Sequence, residues 1–375
     1  TKHLHRQKLL SKITWQGNAV FFTYNNDRSD IGSERLIKME VKSMNNEVLK
    51  TVNFGNTRNY GNSTYNYRMM LDNVSLSDEG TYSFTYKENS FLPNYRTEEN
   101  KYSTCVSDFW GYSNGNNTTY HIPASVLQNA YNQSEVTFLT GAMVNNMMMY
   151  AANRGVNFYY MSLGILTDIT YPTGGKTHYD YSANGTGTQR GGLHVSMISS
   201  LSENNDTINK KIYSYMDGRA THEPIENLMT YWSYHNYFDA TVDHLTTKKY
   251  ATCISSPLIS LNNCGGSPVF FPTIYENVYS GNTLVGRTKY EYSMGRLCDY
   301  DGHTSWEIGD YSGLTPPGIN DEGSYEPLLL GKVVYDPSNN TAKLLEEYNY
   351  ESSEVKPYSY GTKLLSVIKS TFVNG

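Results

Sequence analysis

Apolar and polar residues alternate with a period of two along much of this chain, and turn residues punctuate the alternation. Arg35 to Val41 reads R-L-I-K-M-E-V, Asn45-Asn46 turns the chain, and Val48 to Phe54 returns; this spacing predicts a hairpin. Arg68 to Val74, the turn Ser77-Asp78-Glu79-Gly80, and Thr81 to Tyr86 predict a second. Ile165 to Tyr171 and Lys176 to Tyr181 flank Pro172-Thr173-Gly174-Gly175. Further pairs are Leu193 to Ser199 with Lys211 to Tyr215, Ile274 to Tyr279 with Arg287 to Tyr292, and Leu330 to Tyr335 with Ala342 to Tyr350. Ser125 to Asn132 and Glu223 to Tyr234 are expected to hold short helices. Met143 to Ala152 is apolar without a clean period and fits a buried strand or a helical stretch. The pattern predicts an all-β fold. Antiparallel hairpins and meanders form large twisted sheets, with one or two short helices.

Many of these strands end in Tyr-x-Tyr, and the chain holds 35 tyrosines in 375 residues. Charged residues are 18%, below the usual quarter or so. Asn, Ser, Thr, Gly and Tyr take their place, which suits strands with hydrogen-bonding faces and many turns. A net charge of −6 argues against a nucleic-acid partner, which needs a basic surface. A soft boundary near residues 155–163 divides a first meander, 1–160, from a second hairpin region, 161–375; one continuous β assembly is equally compatible with the pattern.

The cysteines, Cys105, Cys253, Cys264 and Cys298, lack C-x-x-C spacing. Cys253 and Cys264 could staple a loop, and buried free thiols are the other reading. No stretch reaches about 18 apolar residues, so no membrane span is expected. Thr1 is not a natural first residue, and the chain reads as a piece of a longer parent protein.

Four stretches carry a resemblance. They are Arg35-Leu36-Ile37 with its hairpin through Tyr82 to Tyr86 and Leu92-Pro93; Asp108 to Gly115 (D-F-W-G-Y-S-N-G); Gly164 to Gly175 (G-I-L-T-D-I-T-Y-P-T-G-G) with Tyr179 to Tyr181 and Gly191-Gly192-Leu193; and the Val278 to Tyr292 hairpin. Together they resemble the Bacteroidetes branch of the RHS/YD-repeat proteins, over roughly residues 30 to 350. The resemblance implies long antiparallel hairpins and an exported, periplasmic or cell-surface location. The chain has no regular array of G-x-x-x-R-Y-x-Y-D-x-x-G repeats and no self-cleaving core motif. It therefore resembles the region that precedes the repeats, or a short relative without them.

Candidate chemistry is sparse. Tyr231 to Asp239 (Y-W-S-Y-H-N-Y-F-D) is aromatic at odd and even positions alike, beyond what a half-buried strand needs. Tyr231, Trp232, Tyr234, His235 and Tyr237, with Trp110, are the candidate binding surface, because flat rings beside amides and histidines stack on sugars and bond hydroxyls. A packed core is the structural alternative. His235 and His244 could converge with Asp239 or Asp243. Asp299, Asp301 and Glu307 faintly suggest a calcium loop but lack its full spacing, so neither a metal nor a cofactor is expected. No H-E-x-x-H, nucleophile elbow or P-loop occurs. The reading is a non-enzymatic structural or binding module of an exported RHS-like protein, taking a glycan or protein ligand. The alternative is a glycan-acting hydrolase whose acid/base carboxylates the sequence does not identify.

Overall fold

A computed structural model describes residues 8–28, 33–60, 68–87, 105–118, 122–124, 126, 128, 153–185, 190–220, 230–239, 244–253, 268–293, 306–308, 327–355 and 359–371. In chain order the first strands are β1 (Lys12–Trp15), β2 (Asn18–Asn25), β3 (Arg35–Lys42), β4 (Val48–Tyr60), β5 (Arg68–Leu76) and β6 (Gly80–Tyr86). Then come β7 (Cys105–Ser107), β8 (Ser113–Thr118), a helical turn α1 (Phe158–Met161), β9 (Leu166–Thr170), β10 (Lys176–Ala183), β11 (Leu193–Leu201) and β12 (Thr207–Met216). The rest are β13 (Arg219–Ala220), β14 (Thr230–Asp239), β15 (His244–Cys253), β16 (Val269–Phe270), β17 (Thr273–Ser280), β18 (Thr283–Tyr292), β19 (Trp306–Ile308), β20 (Leu329–Tyr335), β21 (Ala342–Val355) and β22 (Ser359–Thr371). The all-β expectation holds, and the six anticipated hairpins supply β3 to β6, β9 to β12, β17, β18, β20 and β21.

The chain groups into two compact units that interleave in sequence. Unit 1 is Thr1–Tyr102, Ser162–Asp180 and Ile198–Lys210; unit 2 is Ser103–Met161, Tyr181–Met197 and Lys211–Gly375.

In unit 1 the strands run β1-β2-β3-β4-β5-β6-β9-β10. All neighbours pair antiparallel. The period of two sorts the side chains. Phe22, Met39, Val52 and Leu76 stand in register, as do Phe54, Val74 and Tyr82, then Phe84 and Ile169. The alternate face carries Lys38, Asn53, Ser75 and Thr81, then Thr85, Asp168 and His178. Such cross-strand rows contribute roughly 0.2–1 kcal/mol per pair. The β1–β2 hairpin was not anticipated, because Ile13 and Trp15 are exposed and its turn residue Gln16, with φ 45°, gives no usual hairpin signal.

Unit 2 holds the run β11-β12-β17-β18-β20-β21-β22, apart from residues Ile198–Leu201 of β11 and Thr207–Lys210 of β12, which group with unit 1, and the small sheets β7-β8, β13-β16 and β15-β14-β19. β14 pairs antiparallel with β15 and parallel with β19. The helix expected across Glu223 to Tyr234 gives way at Thr230, where β14 begins; residues 221–229 lie outside the described ones. Ala124, Val126 and Gln128 are helical, inside or beside the first expected helix, while 143–152 lie outside the described residues. Among the described residues the buried apolar side chains are Ala19, Trp110, Val126, Met161, Val269 and Phe270. All but Ala19 belong to unit 2.

The tyrosines at strand ends have a shared geometry. Register shifts fall at Thr23/Tyr24, Thr85/Tyr86, Val278/Tyr279, Glu291/Tyr292, Val334/Tyr335 and Asn349/Tyr350. In each, the following strand carries one extra residue opposite the tyrosine: Ile37, Thr167, Val285, Leu330, Lys343 and Leu365. These are β-bulges, which add local twist. Three of the same tyrosines reach the other way. Tyr24 donates to the Leu10 carbonyl at 2.9 Å, Tyr86 to Leu71 at 2.9 Å and Tyr350 to Leu329 at 2.8 Å. Tyr215 does likewise to Val195 at 2.7 Å. These four tyrosines thus tie the preceding strand or the segment leading into it with their hydroxyls; at the bulge positions the tyrosine also faces the extra residue of the next strand.

Tyr86→Phe is expected to lower unfolding stability by about 1 kcal/mol, the net value of one such bond. Tyr171→Phe, which loses a bond to the Thr177 hydroxyl on an exposed ring, is expected to cost less. Urea titrations of the two variants check this; equal losses would refute the strand-tying role.

Candidate functional site

A Tyr-x-Tyr unit in a strand places both rings on one face and the middle residue on the other. In β18 this puts Tyr290 and Tyr292 on one face, with Lys289 and Glu291 paired on the opposite one. β12 contributes Tyr213 and Tyr215, and β21 contributes Tyr348 and Tyr350. Strand register joins these into a row: Ile274, Tyr290, Lys332 and Glu346 are successive partners, and Glu276 pairs with Thr288 beside them. The result is a ladder of tyrosines carrying two carboxylates.

Both carboxylates are held in the same way. Glu276 Oε2 accepts Tyr213 OH at 3.0 Å and Lys211 Nζ at 3.2 Å. Glu346 Oε2 accepts Tyr348 OH at 2.9 Å and lies 3.6 Å from Lys332 Nζ. The two glutamates are only 15% and 12% exposed. Burial, then the bond to Glu276, pushes the Tyr213 hydroxyl far up; burial raises Tyr215, Tyr290 and Tyr292 as well. The bond to Glu346 raises Tyr348. These hydroxyls therefore stay protonated and able to donate at neutral pH. Glu276 on β17 and Glu346 on β21 stand three strand spacings apart, about 14 Å at about 4.8 Å each. A glycoside-cleaving pair needs about 5–10 Å, so the spacing suits a ladder and not that chemistry.

His194 on β11 extends the aromatic surface. Its ring lies 4.2 Å from Tyr215 and 5.4 Å from Phe271, and its Nδ1 is 3.2 Å from Asn184 Oδ1. Burial lowers its pKa, which favours the neutral ring. In unit 1, His178 is bracketed by carboxylates: Nδ1 lies 2.8 Å from Asp168 and Nε2 3.5 Å from Asp180. Among the described residues no group of three His, Cys, Asp or Glu has metal-holding geometry.

Within the D-F-W-G-Y-S-N-G stretch, Asp108 to Tyr112 form the turn between β7 and β8, and Ser113 to Gly115 begin β8. Asp108 Oδ1 accepts the backbone N–H groups of Trp110 and Tyr112, each at 2.9 Å, and Gly111 supplies the turn with φ 92°. Trp110 packs on Gly191, where a Cβ would stand 2.7 Å from the indole. Asn114 donates to the carbonyls of Asn153 at 2.8 Å and Gly155 at 3.1 Å, and Arg154 donates to the Asp108 carbonyl at 2.8 Å. Asn157 caps α1 by accepting the Tyr159 N–H at 3.1 Å. Trp110 is 6% exposed. Its ring belongs to the packing of this cluster, so the surface role expected of it gives way to a core role.

Tyr231, Trp232, Tyr234, His235 and Tyr237 share β14. Tyr231, His235 and Tyr237 take odd positions, Trp232 and Tyr234 even ones. In register, Asp239 faces His244 while His235 faces Lys248, so the backbone aligns one of the two histidines with Asp239. Glu307 on β19 is the register partner of Trp232, while Asp299 and Asp301 lie outside the described residues. Cys253 ends β15, and Cys264 lies outside the described residues. The sequence reading missed the Glu276–Tyr213 and Glu346–Tyr348 clamps, because their partners are far apart in sequence or depend on strand register. It also missed Arg154, which follows a stretch with no readable period. Comparison with protein-family models and with curated proteins finds no match for this chain.

Gly191→Ala should lower stability by about 1–3 kcal/mol through overpacking against Trp110. Gly286→Ala, whose Cβ would meet Val278 at an ordinary 3.7 Å, should change little. Thermal unfolding followed by near-ultraviolet circular dichroism separates them; similar melting shifts would refute the close-approach reading. For the ladder, Tyr213→Phe, Glu276→Gln and the double variant form a cycle whose coupling is expected near 1 kcal/mol. A coupling near zero would show that the bond contributes nothing.

Proposed function

We propose that this chain is a non-enzymatic structural and binding module of an exported or cell-surface protein of RHS/YD-repeat type, and that its ligand is a glycan. The observation that carries the reading is the tyrosine–carboxylate ladder of β12, β17, β18, β20 and β21. Half-exposed rings offer flat apolar area at low entropic cost, and fixed hydroxyls, carboxylates and lysines offer hydrogen bonds. Sugars present the same combination, an apolar ring face edged by hydroxyls. The resemblance of the D-F-W-G-Y-S-N-G and Y-P-T-G-G stretches supports the exported context. The aromatic strand β14 is the second candidate surface in the same unit.

A glycan array probed with the wild type, with Tyr290→Ala/Tyr292→Ala and with Trp232→Ala tests the proposal. The wild type is expected to retain at least one glycan class. Loss of the ladder rings should weaken it about ten-fold or more, equivalent to about 1.4 kcal/mol. Loss confined to Trp232→Ala would move the site to β14. No bound glycan, or equal binding by all three proteins, would overturn the reading.

A further inference from the structure

We propose that Asp108 is a proton-controlled clasp: the aromatic cluster of unit 2 closes over its neutral carboxylic acid, and loss of that proton loosens the D-F-W-G-Y turn from the Gly191-Gly192 bend. Asp108 is 0% exposed. Its two oxygens are treated unequally. Oδ1 takes two backbone N–H bonds, while Oδ2 is buried and has no hydrogen-bond partner. A Cβ on Gly191 would stand 3.0 Å from that oxygen, so the bend closes over the carboxyl at backbone distance. An ionised carboxylate seeks partners on both oxygens, and a buried one left short of them is costly.

The nearby cation is turned elsewhere. Arg154 Nε and Nη2 donate to the Asp108 backbone carbonyl at 3.2 and 2.8 Å, and the guanidinium lies 5.5 Å from the Phe109 ring centre. Burial outweighs the N–H donors and the Arg154 charge, and pushes the carboxyl up to about 6. Among the described residues, the other titratable group at the turn is Tyr112, whose hydroxyl is raised by burial and by Asp108 and so stays neutral. The Gly191-Gly192 bend brings no charge of its own. Beyond it, His194 faces Asn184 and is lowered by burial.

The signs of the two groups oppose. Asp108 is raised in the folded chain, so its stabilising contribution is complete below the ordinary 3.8 and is lost as pH rises through about 6. His194 is lowered, so its contribution is lost as pH falls. Of these two groups, Asp108 is the one that makes the clasp weaken toward alkaline pH. From pH 4 to pH 8 its share amounts to about 60-fold in the opening equilibrium.

Hydrogen exchange read by mass spectrometry on the peptide 105–118, corrected for intrinsic exchange rates, tests this between pH 5 and pH 8. Wild-type protection should fall by at least ten-fold across that range. Asp108→Asn, which keeps the Oδ1 acceptor and cannot ionise, should show no fall. The same fall in Asp108→Asn, or none in the wild type, would overturn the proposal. Should the variant fail to fold, the carboxyl carbon resonance of Asp108 in the wild type decides: a midpoint near 6 supports the clasp, and one near 4 overturns it.

Discussion

The two-residue period of extended backbone is the constraint from which both units follow. It fixes which side chains meet across strands before any packing is considered. In unit 1 it gathers Phe22, Met39, Val52 and Leu76 in one row and Lys38, Asn53, Ser75 and Thr81 in another. In unit 2 it turns a local Tyr-x-Tyr repeat into a ladder crossing five strands. Each glutamate on that ladder is stabilised by a phenol and an ammonium: Tyr213 and Lys211 of β12 at Glu276, Tyr348 of the same strand and Lys332 of β20 at Glu346. Without the ladder, each would be a largely buried carboxylate lacking those partners.

Packing works differently around Trp110. There the deciding property is the absence of a side chain at Gly191, which lets a large ring lie against backbone. Arg154 and Asn114 then bind carbonyls of segments that would otherwise leave them unpaired. Such a cluster tolerates little change in volume, whereas the half-exposed sheet faces can absorb it.

The hairpins were legible because Gly80, Gly174-Gly175 and Asn45-Asn46 sit between alternating runs whose period survives in sequence. β1–β2 was not, since Gln16-Gly17 is a poor hairpin signal and its strand is exposed. The aromatic cluster was seen as turn-rich, yet its burial depends on Gly191 and Arg154 arriving from far along the chain. Trp110 looked like a surface ring because composition alone does not reveal that convergence. The Glu276 and Glu346 clamps were invisible for a related reason. Tyr213 and Lys211 lie 63 and 65 residues from Glu276, and Lys332 meets Glu346 only once the β20–β21 bulge at Val334/Tyr335 is placed.

Those bulges also alter how the chain can change length. At Ile37, Thr167, Val285, Leu330, Lys343 and Leu365 the ladder already accommodates one residue more on one strand than on the other. A single deletion at such a point restores one-to-one pairing and leaves the distal part of the strand on its existing face. A deletion elsewhere in the strand would exchange the two faces of everything beyond it. The strand-end tyrosines thus mark the joints where insertions and deletions can accumulate at least structural cost.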